Sequence, residues 1–436
     1  MQRSSATPSR PRQLAWDWPA TRRARAAAPS PFAQELIAFR DFKKTTAIGS
    51  VEFELFSGGR ESVPCYINEF WTARQRQAHS LHEISFRACF KPQLPRFFID
   101  RLTRPGDLVY DPFMGRGTTP IEAALLGRVP AGNDISPLSR LMAAPRLAPP
   151  QLDAIAARLK SINLHQPGEM PDDLLVFYHP ETLEAISSLR RYFAERRAAE
   201  KLDSLDAWLE MVCLNRLTGH SAGFFSVYTL PPNQAVSVQS QRKINLKRNQ
   251  SPPRRDVRSI LLKKSKQLLS DLTPANRAAL QAAARRARWL TRPADSTPDL
   301  KSGSVSLVVT SPPFLNVVQY AEDNWLRCWF AGIDPKSVAL STPRRLDAWQ
   351  EIMIPVFREL RRVLRKGGCI AFEVGEVHAG KTRLEEAVLP CGIEAGLKPE
   401  LVMVNDQKFT KTANCWGIDN QSKGTNTNRI VLFRKT

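Results

Sequence analysis

Asp111-Pro112-Phe113-Met114-Gly115-Arg116-Gly117-Thr118-Thr119 is the stretch whose reading decides the fold. Residues 107–110 before it follow a Pro105-Gly106 turn and are short and apolar enough for a buried strand. Residues 118–126 have helix composition, with a threonine available as N-cap and Gly127 as a stop. Two glycines two positions apart let the backbone approach a ligand closely, and the helix N-terminus adds oriented N–H groups. A dinucleotide fingerprint needs a third glycine at position 120, which is proline, so NAD is disfavoured. No Gly-Lys-Ser/Thr follows, which excludes a P-loop.

A second short strand at 129–132 ends at Asn133-Asp134, where an acid can bind ribose hydroxyls. Asp295 falls just after the next expected strand, at 289–290, and can accept from an adenine amino group. Either acid alone reads as a surface or capping residue; in register with the glycine turn they form a nucleoside-binding set. Further on, the apolar run Val305-Ser306-Leu307-Val308-Val309-Thr310 delivers Ser311-Pro312-Pro313-Phe314 to a strand end. The two prolines fix φ and remove two N–H donors, leaving the carbonyls around them free to accept. Such a corner can hold an exocyclic amino group while Phe314 stacks on the attached base. Read alone, it is also an ordinary strand-ending turn.

Charge narrows the partner. The 436 residues carry a formal net charge of +21, which predicts a polyanion, nucleic acid ahead of a membrane surface. From Gln241 to Arg292 there are fifteen Lys/Arg against two Asp, more than half of the total excess. A run of this kind usually ends as a solvated face, but here the balancing acids are missing. No apolar stretch is long enough to cross a bilayer. The seven cysteines are scattered and never spaced CxxC, so neither a zinc site nor a disulfide framework is expected, and a reducing cytoplasm fits.

The chain divides into four parts on this reading. Residues 1–30, with six Arg and one Asp, read as a disordered basic tail, with a transit peptide as the alternative. Residues 31–144 hold a mixed N-terminal segment, with Phe53, Phe56, Tyr66, Phe70 and Trp71 as packing residues, and then the ligand-binding half. Residues 145–288 break the strand–helix alternation with amphipathic helices and the basic run. Residues 289–436 resume it, with a helix near 346–364 and strands at 369–374, 400–404 and 429–433. An α/β fold around a parallel sheet, interrupted once, follows.

The 111–119 loop is similar to the DPFxGxGTT cofactor loop of S-adenosylmethionine-dependent DNA methyltransferases that modify exocyclic amino groups. Lys91-Pro92-Gln93-Leu94-Pro95, with Phe97, Phe98 and Ile99, resembles the KPxxLPxxFI segment that precedes that loop, and Thr310–Phe314 resembles the TSPP[YF] catalytic motif. The run Gly424-Thr425-Asn426-Thr427-Asn428-Arg429 also resembles the family, without a derived role. The resemblance implies a Rossmann-like class I methyltransferase with a mixed seven-stranded sheet and helices on both faces. It implies S-adenosylmethionine held by Lys91, Pro92, Asp111, Pro112, Phe113, Gly115, Gly117, Thr118, Thr119, Asp134 and Asp295. Catalysis falls to Ser311, Pro312, Pro313 and Phe314. The 145–288 insert becomes a reader of double-stranded DNA, with Arg242, Lys243, Lys247, Arg248, Arg254, Arg255, Lys263 and Lys264 as candidate contacts. A cognate restriction endonuclease is a candidate partner. Serine at 311 is commonest among cytosine-N4 enzymes, so that target is favoured. Adenine-N6 methylation is the nearest alternative, and an RNA guanine-N2 enzyme or a non-catalytic DNA-binding protein with this fold are more remote.

Mechanistically, the base must leave the stack before its amino nitrogen can meet a methyl group. Ser311 and a nearby carbonyl then accept the amino hydrogens, and rate comes mainly from orientation. Methylation at cytosine C5 needs a cysteine nucleophile instead; Pro64-Cys65 and Pro390-Cys391 occupy the wrong places and read as structural. His82, His179 and His220 read as structural too. Glu373 and Glu376 follow the fifth strand as pocket or strand-end residues, and Tyr320 and Trp325 as pocket or core residues of the next helix.

Overall fold

The computed structural model describes residues 28–72, 78–87, 89–229, 235–313, 320–338, 343, 345–374, 376–377, 382–406 and 427–436. Residues 1–27 of the expected tail, Phe314, and 424–426 of the C-terminal run lie outside them. The strands are β1 (Ala47–Glu54), β2 (Arg60–Asn68), β3 (Leu108–Asp111), β4 (Val129–Asn133), β5 (Arg288–Leu290), β6 (Val305–Thr310), β7 (Leu364–Val374), a short β8 (Glu376–Val377) and β9 (Thr382–Arg383) pair, β10 (Lys398–Asp406) and β11 (Thr427–Arg434). The helices before the insert are α1 (Pro31–Ala38), α2 (Gln93–Leu102), α3 (Thr118–Leu125) and α4 (Pro137–Ala143). The insert holds α5 (Leu152–Ser161), α6 (Pro180–Ala198), α7 (Ser204–Arg216), α8 (Val238–Arg248), α9 (Val257–Leu268) and α10 (Pro274–Ala284). The last three are α11 (Tyr320–Ala331), α12 (Leu346–Val363) and α13 (Leu384–Glu394).

Among the described residues, the main sheet has nine strands in the order β1-β2-β10-β11-β7-β6-β3-β4-β5. Strands β7, β6, β3, β4 and β5 run parallel, and β11 is antiparallel to both of its neighbours. These seven are the strands expected from sequence. The sheet is larger than expected because the hairpin β1–β2 adds two strands, with β2 parallel to β10. Gly58 and Gly59, at φ 84° and 94°, make the hairpin turn that only glycine adopts easily. Pro64 is tolerated inside β2 because pairing with β10 begins only at Cys65.

Apolar residues fill both faces of the central strands, as parallel strands covered by helices require. Leu307 and Val309 of β6 face the core formed with α1 and α2, whereas Val308 faces α12 and α13. On α12, Trp349, Met353, Val356, Phe357 and Leu360 share one buried face at helical spacing. Phe357 there packs its ring 4.8 Å from that of Phe372 and 5.3 Å from that of Phe433. Each such side chain removed from water contributes about 1.5–3 kcal/mol.

Among the described residues, the insert shares its core with the rest of the fold. Its α7 is the most buried helix, and Trp208, Leu209 and Met211 join one cluster with Ile121 of α3, Leu138 and Met142 of α4, and Leu326 and Phe330 of α11. Buried Asp206 on α7 is matched by Arg158 and Arg196 and by the Tyr192 hydroxyl at 3.0 Å.

Candidate active site

Strand order reverses between β3 and β6, so helices leave the sheet on opposite sides there and a crevice opens at the carboxyl ends. Asp111 ends β3 and Thr310 ends β6, and the Thr310 hydroxyl donates to Asp111 Oδ1 at 2.6 Å. The Phe113 N–H donates to the same oxygen at 3.1 Å, while Thr119 Oγ1 donates to the Val309 carbonyl at 3.0 Å. Asp111 is 1 % exposed, and burial pushes its carboxyl up to about 7 against these stabilising hydrogen bonds.

Both glycines of the loop take left-handed backbone conformations. Gly115 and Gly117 stand at φ 48° and 80°, and a Cβ at 117 would come within 2.6 Å of Ala143 Cβ. The Gly115 N–H donates to Asp134 Oδ2 at 2.9 Å, and the Ser136 N–H donates to Asp134 Oδ1 at 2.9 Å. Asp134 is thus half-buried with both oxygens anchored, and burial raises its carboxyl above the ordinary value. Asn133, read from sequence only as a strand end, proves to be a clamp. Its amide donates to Pro112 O at 3.1 Å and Arg292 O at 3.0 Å, and it accepts from the Arg292 N–H at 3.1 Å. It thereby ties the glycine loop to the loop carrying Asp295.

One cavity joins these parts. Among the expected cofactor residues, Asp111, Pro112, Phe113, Gly115, Thr118, Asp134 and Asp295 line it; so do Ser311, Pro312 and Pro313. Gly117 and Thr119 support the loop without lining it. Lys91 and Pro92 do not reach the cavity: Pro92 is buried as the cap of α2, and Lys91 is half-buried. Their segment reaches the cavity through Phe86, Cys89 and Phe90 instead. Arg116 holds this segment by donating to Ile84 O at 2.6 Å and His82 O at 3.2 Å, and Arg87 makes a two-oxygen pair with Asp323 of α11.

The Ser-Pro-Pro corner differs from its reading in one respect. The Pro313 carbonyl is not free, because the buried Trp349 indole N–H donates to it at 3.1 Å. Behind Ser311 stands Glu373, near the end of β7 and 8 % exposed. The Ser311 hydroxyl hydrogen-bonds its carboxylate, and Asn428 Nδ2 donates to its Oε1 at 3.1 Å. Burial raises the Glu373 carboxyl above its ordinary value. The C-terminal run, which had no derived role, therefore supplies Asn428 to this cluster and Arg429 to a buried pair with Glu385.

The basic insert is less uniform than its composition. Lys243, Lys247 and Lys263 are exposed. Arg242 pairs with Asp173 and Arg254 with Glu181, both at 2.8 Å on the surface, and Arg248 lies over the Tyr228 ring at 3.7 Å. Arg255 is half-buried. Lys264 is the clear correction: it is 6 % exposed, shares the inner face of α9 with Leu261 and Leu268, and lies 3.9 Å from Glu83. Burial, with nearby Arg216, lowers its amine to about 8.

The remaining side chains have structural surroundings. Burial pushes the Cys65 and Cys391 thiols up to about 12, and neither lines the cavity. His82 is buried against Glu122 at 2.8 Å, and His179 caps α6. Trp325 donates to Val236 O at 3.2 Å, away from the cavity. Among the described residues, no cluster of His, Cys, Asp and Glu is placed to hold a metal ion.

Parallel sheet, antiparallel β11 and a glycine loop at the switch point define the Rossmann-like class I methyltransferase fold. Within it, residues 44–140 match the DNA methylase model of the N6/N4 methyltransferase family, a span that runs from the β1–β2 hairpin through the glycine loop into α4. A 74-residue stretch is 38 % identical to the type II methyltransferase M.MjaII of Methanocaldococcus jannaschii, covering 17 % of this chain and only 14 % of that relative's length. Among solved structures, a TehB-like SAM-dependent methyltransferase from Corynebacterium glutamicum aligns at 10 % identity over 78 % of this chain and 87 % of its own, with a TM-score of 0.28. TrmN from Thermus thermophilus aligns at 12 % identity over 82 % and 52 %, with a TM-score of 0.31. Residues 44–140 are thus similar to the DNA methylases of the N6/N4 methyltransferase family, and the glycine loop lies within that span.

Proposed function

We propose that this protein transfers a methyl group from S-adenosylmethionine to the exocyclic amino group of a base flipped out of double-stranded DNA, with cytosine N4 as the favoured target. The observation that carries this reading is the Thr310–Asp111 hydrogen bond, which fastens the donor loop to the Ser-Pro-Pro corner on one cavity. The residues suit the cofactor. Gly115 brings the loop backbone to the cavity wall, Asp134 offers an anchored carboxylate for ribose hydroxyls, and exposed Asp295 faces the same cavity. When bound, S-adenosylmethionine supplies an activated methyl group on a sulfonium. Ser311 accepts an amino hydrogen and so turns the nitrogen lone pair toward that methyl; Trp349 holds the corner in shape through Pro313.

Residues 145–288 serve in this reading as the DNA reader, with exposed Lys243, Lys247 and Lys263 toward phosphates. No helix among the described residues is long and apolar enough to cross a membrane, and we place the protein in a bacterial-type cytoplasm on the nucleoid. A cognate restriction endonuclease remains part of the proposal. The test is expression in cells lacking DNA methylation, followed by nucleoside mass spectrometry and modification-sensitive sequencing. N4-methylcytosine in one short sequence is expected. N6-methyladenine would overturn the choice of base, and unmodified DNA would overturn methyl transfer to DNA.

A further inference from the structure

Three strand ends far apart in sequence converge behind the Ser-Pro-Pro corner. Ser311 follows β6, Glu373 lies in β7 and Asn428 opens β11, and these strands are neighbours in the sheet. Glu373 is a buried carboxylate whose named partners are both hydrogen-bond donors, the Ser311 hydroxyl and the Asn428 amide. Of the charged groups on the adjoining elements, Arg429 of β11 is taken by Glu385 of α13, and Asp111 of β3 is held by Thr310 and Phe113. Glu373 itself does not line the cavity, whereas Ser311 does.

A hydroxyl has one proton to donate and two lone pairs to accept with. An ionised Glu373 takes that proton's hydrogen bond, so Ser311 Oγ can turn only lone pairs toward the cavity. We propose that Glu373 is the positioning residue of the transfer: it orients Ser311 as an acceptor for the target amino group and takes up, through Ser311, the proton that group must lose. This rests on the methyl-transfer reading above. In the balanced step, the amino nitrogen forms a bond to the methyl carbon. The carbon–sulfur bond breaks with its electron pair kept by sulfur, and the nitrogen becomes cationic. It then gives one proton to Ser311 Oγ as the Ser311 proton moves to Glu373. The neutral methylamino base and a protonated Glu373 result, and Glu373 later releases its proton to solvent. A weakly basic serine thus needs no pKa shift of its own.

The proposal requires Glu373 to be ionised before transfer. The rate should therefore fall as pH drops through the Glu373 pKa, which burial holds above the ordinary glutamate value. Glu373→Gln keeps the size and an acceptor for Asn428 but takes up no proton. We expect kcat to fall about 100-fold, within the usual range for loss of a general base. KM for duplex DNA and the calorimetric affinity for S-adenosylmethionine should change little, and the acidic limb of the kcat–pH profile should vanish. Glu373→Asp should restore that limb. A Glu373→Gln enzyme with wild-type kcat and an unchanged acidic limb overturns the proposal. A readout independent of turnover is the carboxyl titration of Glu373, followed by isotope-edited infrared spectroscopy and assigned by its loss in Glu373→Gln. Ser311→Ala removes a donor and should move that titration to higher pH; an unmoved titration overturns the Ser311–Glu373 link. If the wild-type protein methylates no DNA while this shift is present, the methyl-transfer reading fails and the link stands.

Discussion

Replacing Asp111 with asparagine should stabilise the ligand-free protein above neutral pH while weakening its site. Asp111 is almost fully buried, and burial pushes its carboxyl from the ordinary 3.8 up to about 7. A carboxyl that holds its proton more tightly when folded favours the fold fully below its unfolded pKa. That stabilisation is lost as pH rises through about 7. The gap of about 3 units amounts to about 4 kcal/mol between the acid and alkaline limits. Unfolding entropy scales with length, so in a chain of this size about 4 kcal/mol moves Tm by about 4 °C. Asparagine keeps a carbonyl oxygen for the Thr310 and Phe113 donors, carries no charge to bury, and gives up about 1 kcal/mol of charge-assisted bonding. The Tm of the Asp111→Asn variant relative to wild type should therefore rise by about 4 °C between pH 4.5 and 8.5. Differential scanning calorimetry of ligand-free protein across that range measures it. A Tm difference independent of pH would refute the account of Asp111 as a carboxylate strained by burial. The same variant should bind S-adenosylmethionine more weakly, since an ionised Asp111 beside the cavity favours a cationic ligand.

Gly117→Ala adds a left-handed backbone penalty of about 1–2 kcal/mol to a Cβ overlap worth about 1–3 kcal/mol. It should lower Tm and abolish measurable donor binding, whereas Gly106→Ala, at φ 86° in open space, should show the backbone cost alone. Trp349→Phe deletes the donor to Pro313 O and should cost about 1 kcal/mol in a denaturant titration. Its kcat should fall more than its donor affinity; an unchanged kcat would remove Trp349 from the support of the corner. Reversing Lys243 and Lys247 to glutamate should weaken duplex binding and flatten the salt dependence by about 2 in log–log slope, read by fluorescence anisotropy. Reversing buried Lys264 should instead lower Tm, because the new carboxylate would lie beside Glu83.

The glycine loop and the Ser-Pro-Pro corner were legible because each requirement is local. A positive φ demands glycine, two prolines leave no donor, and strand and helix periods flank both. The β1–β2 hairpin escaped notice because Pro64 interrupts its alternation, and only the partial pairing with β10 shows why that proline is harmless. Glu373 was visible only as a pocket or strand-end residue, without its partners. Its partners lie 62 and 55 residues away along the chain, so only the order β11-β7-β6 brings them together. Lys264 was misread for the opposite reason. A charge run suggests one continuous surface, but a 3.6-residue period carries some of its members inward with Leu261 and Leu268.

The same period explains why the insert is bound to the catalytic fold rather than appended to it. Its helices turn their apolar sides toward α3, α4 and α11 and meet there in one cluster, with Trp208 and Phe193 beside Met142 and Phe330. Removing 145–288 would uncover these residues, and a handful of large side chains at about 1.5–3 kcal/mol each already equals the whole stability of a typical domain. The cofactor-loop half that the family comparison recognises therefore depends on a region the comparison does not cover. The dependence runs through α11, whose Asn324 and Cys328 line the cavity. α11 receives Arg87 on Asp323, its Arg327 donates to Ser85 O at 3.0 Å, and its Asp323 carbonyl accepts from the Ala235 N–H at 2.9 Å. The segment that walls the cavity, the insert and the helix after the Ser-Pro-Pro corner are thus joined by hydrogen bonds at α11.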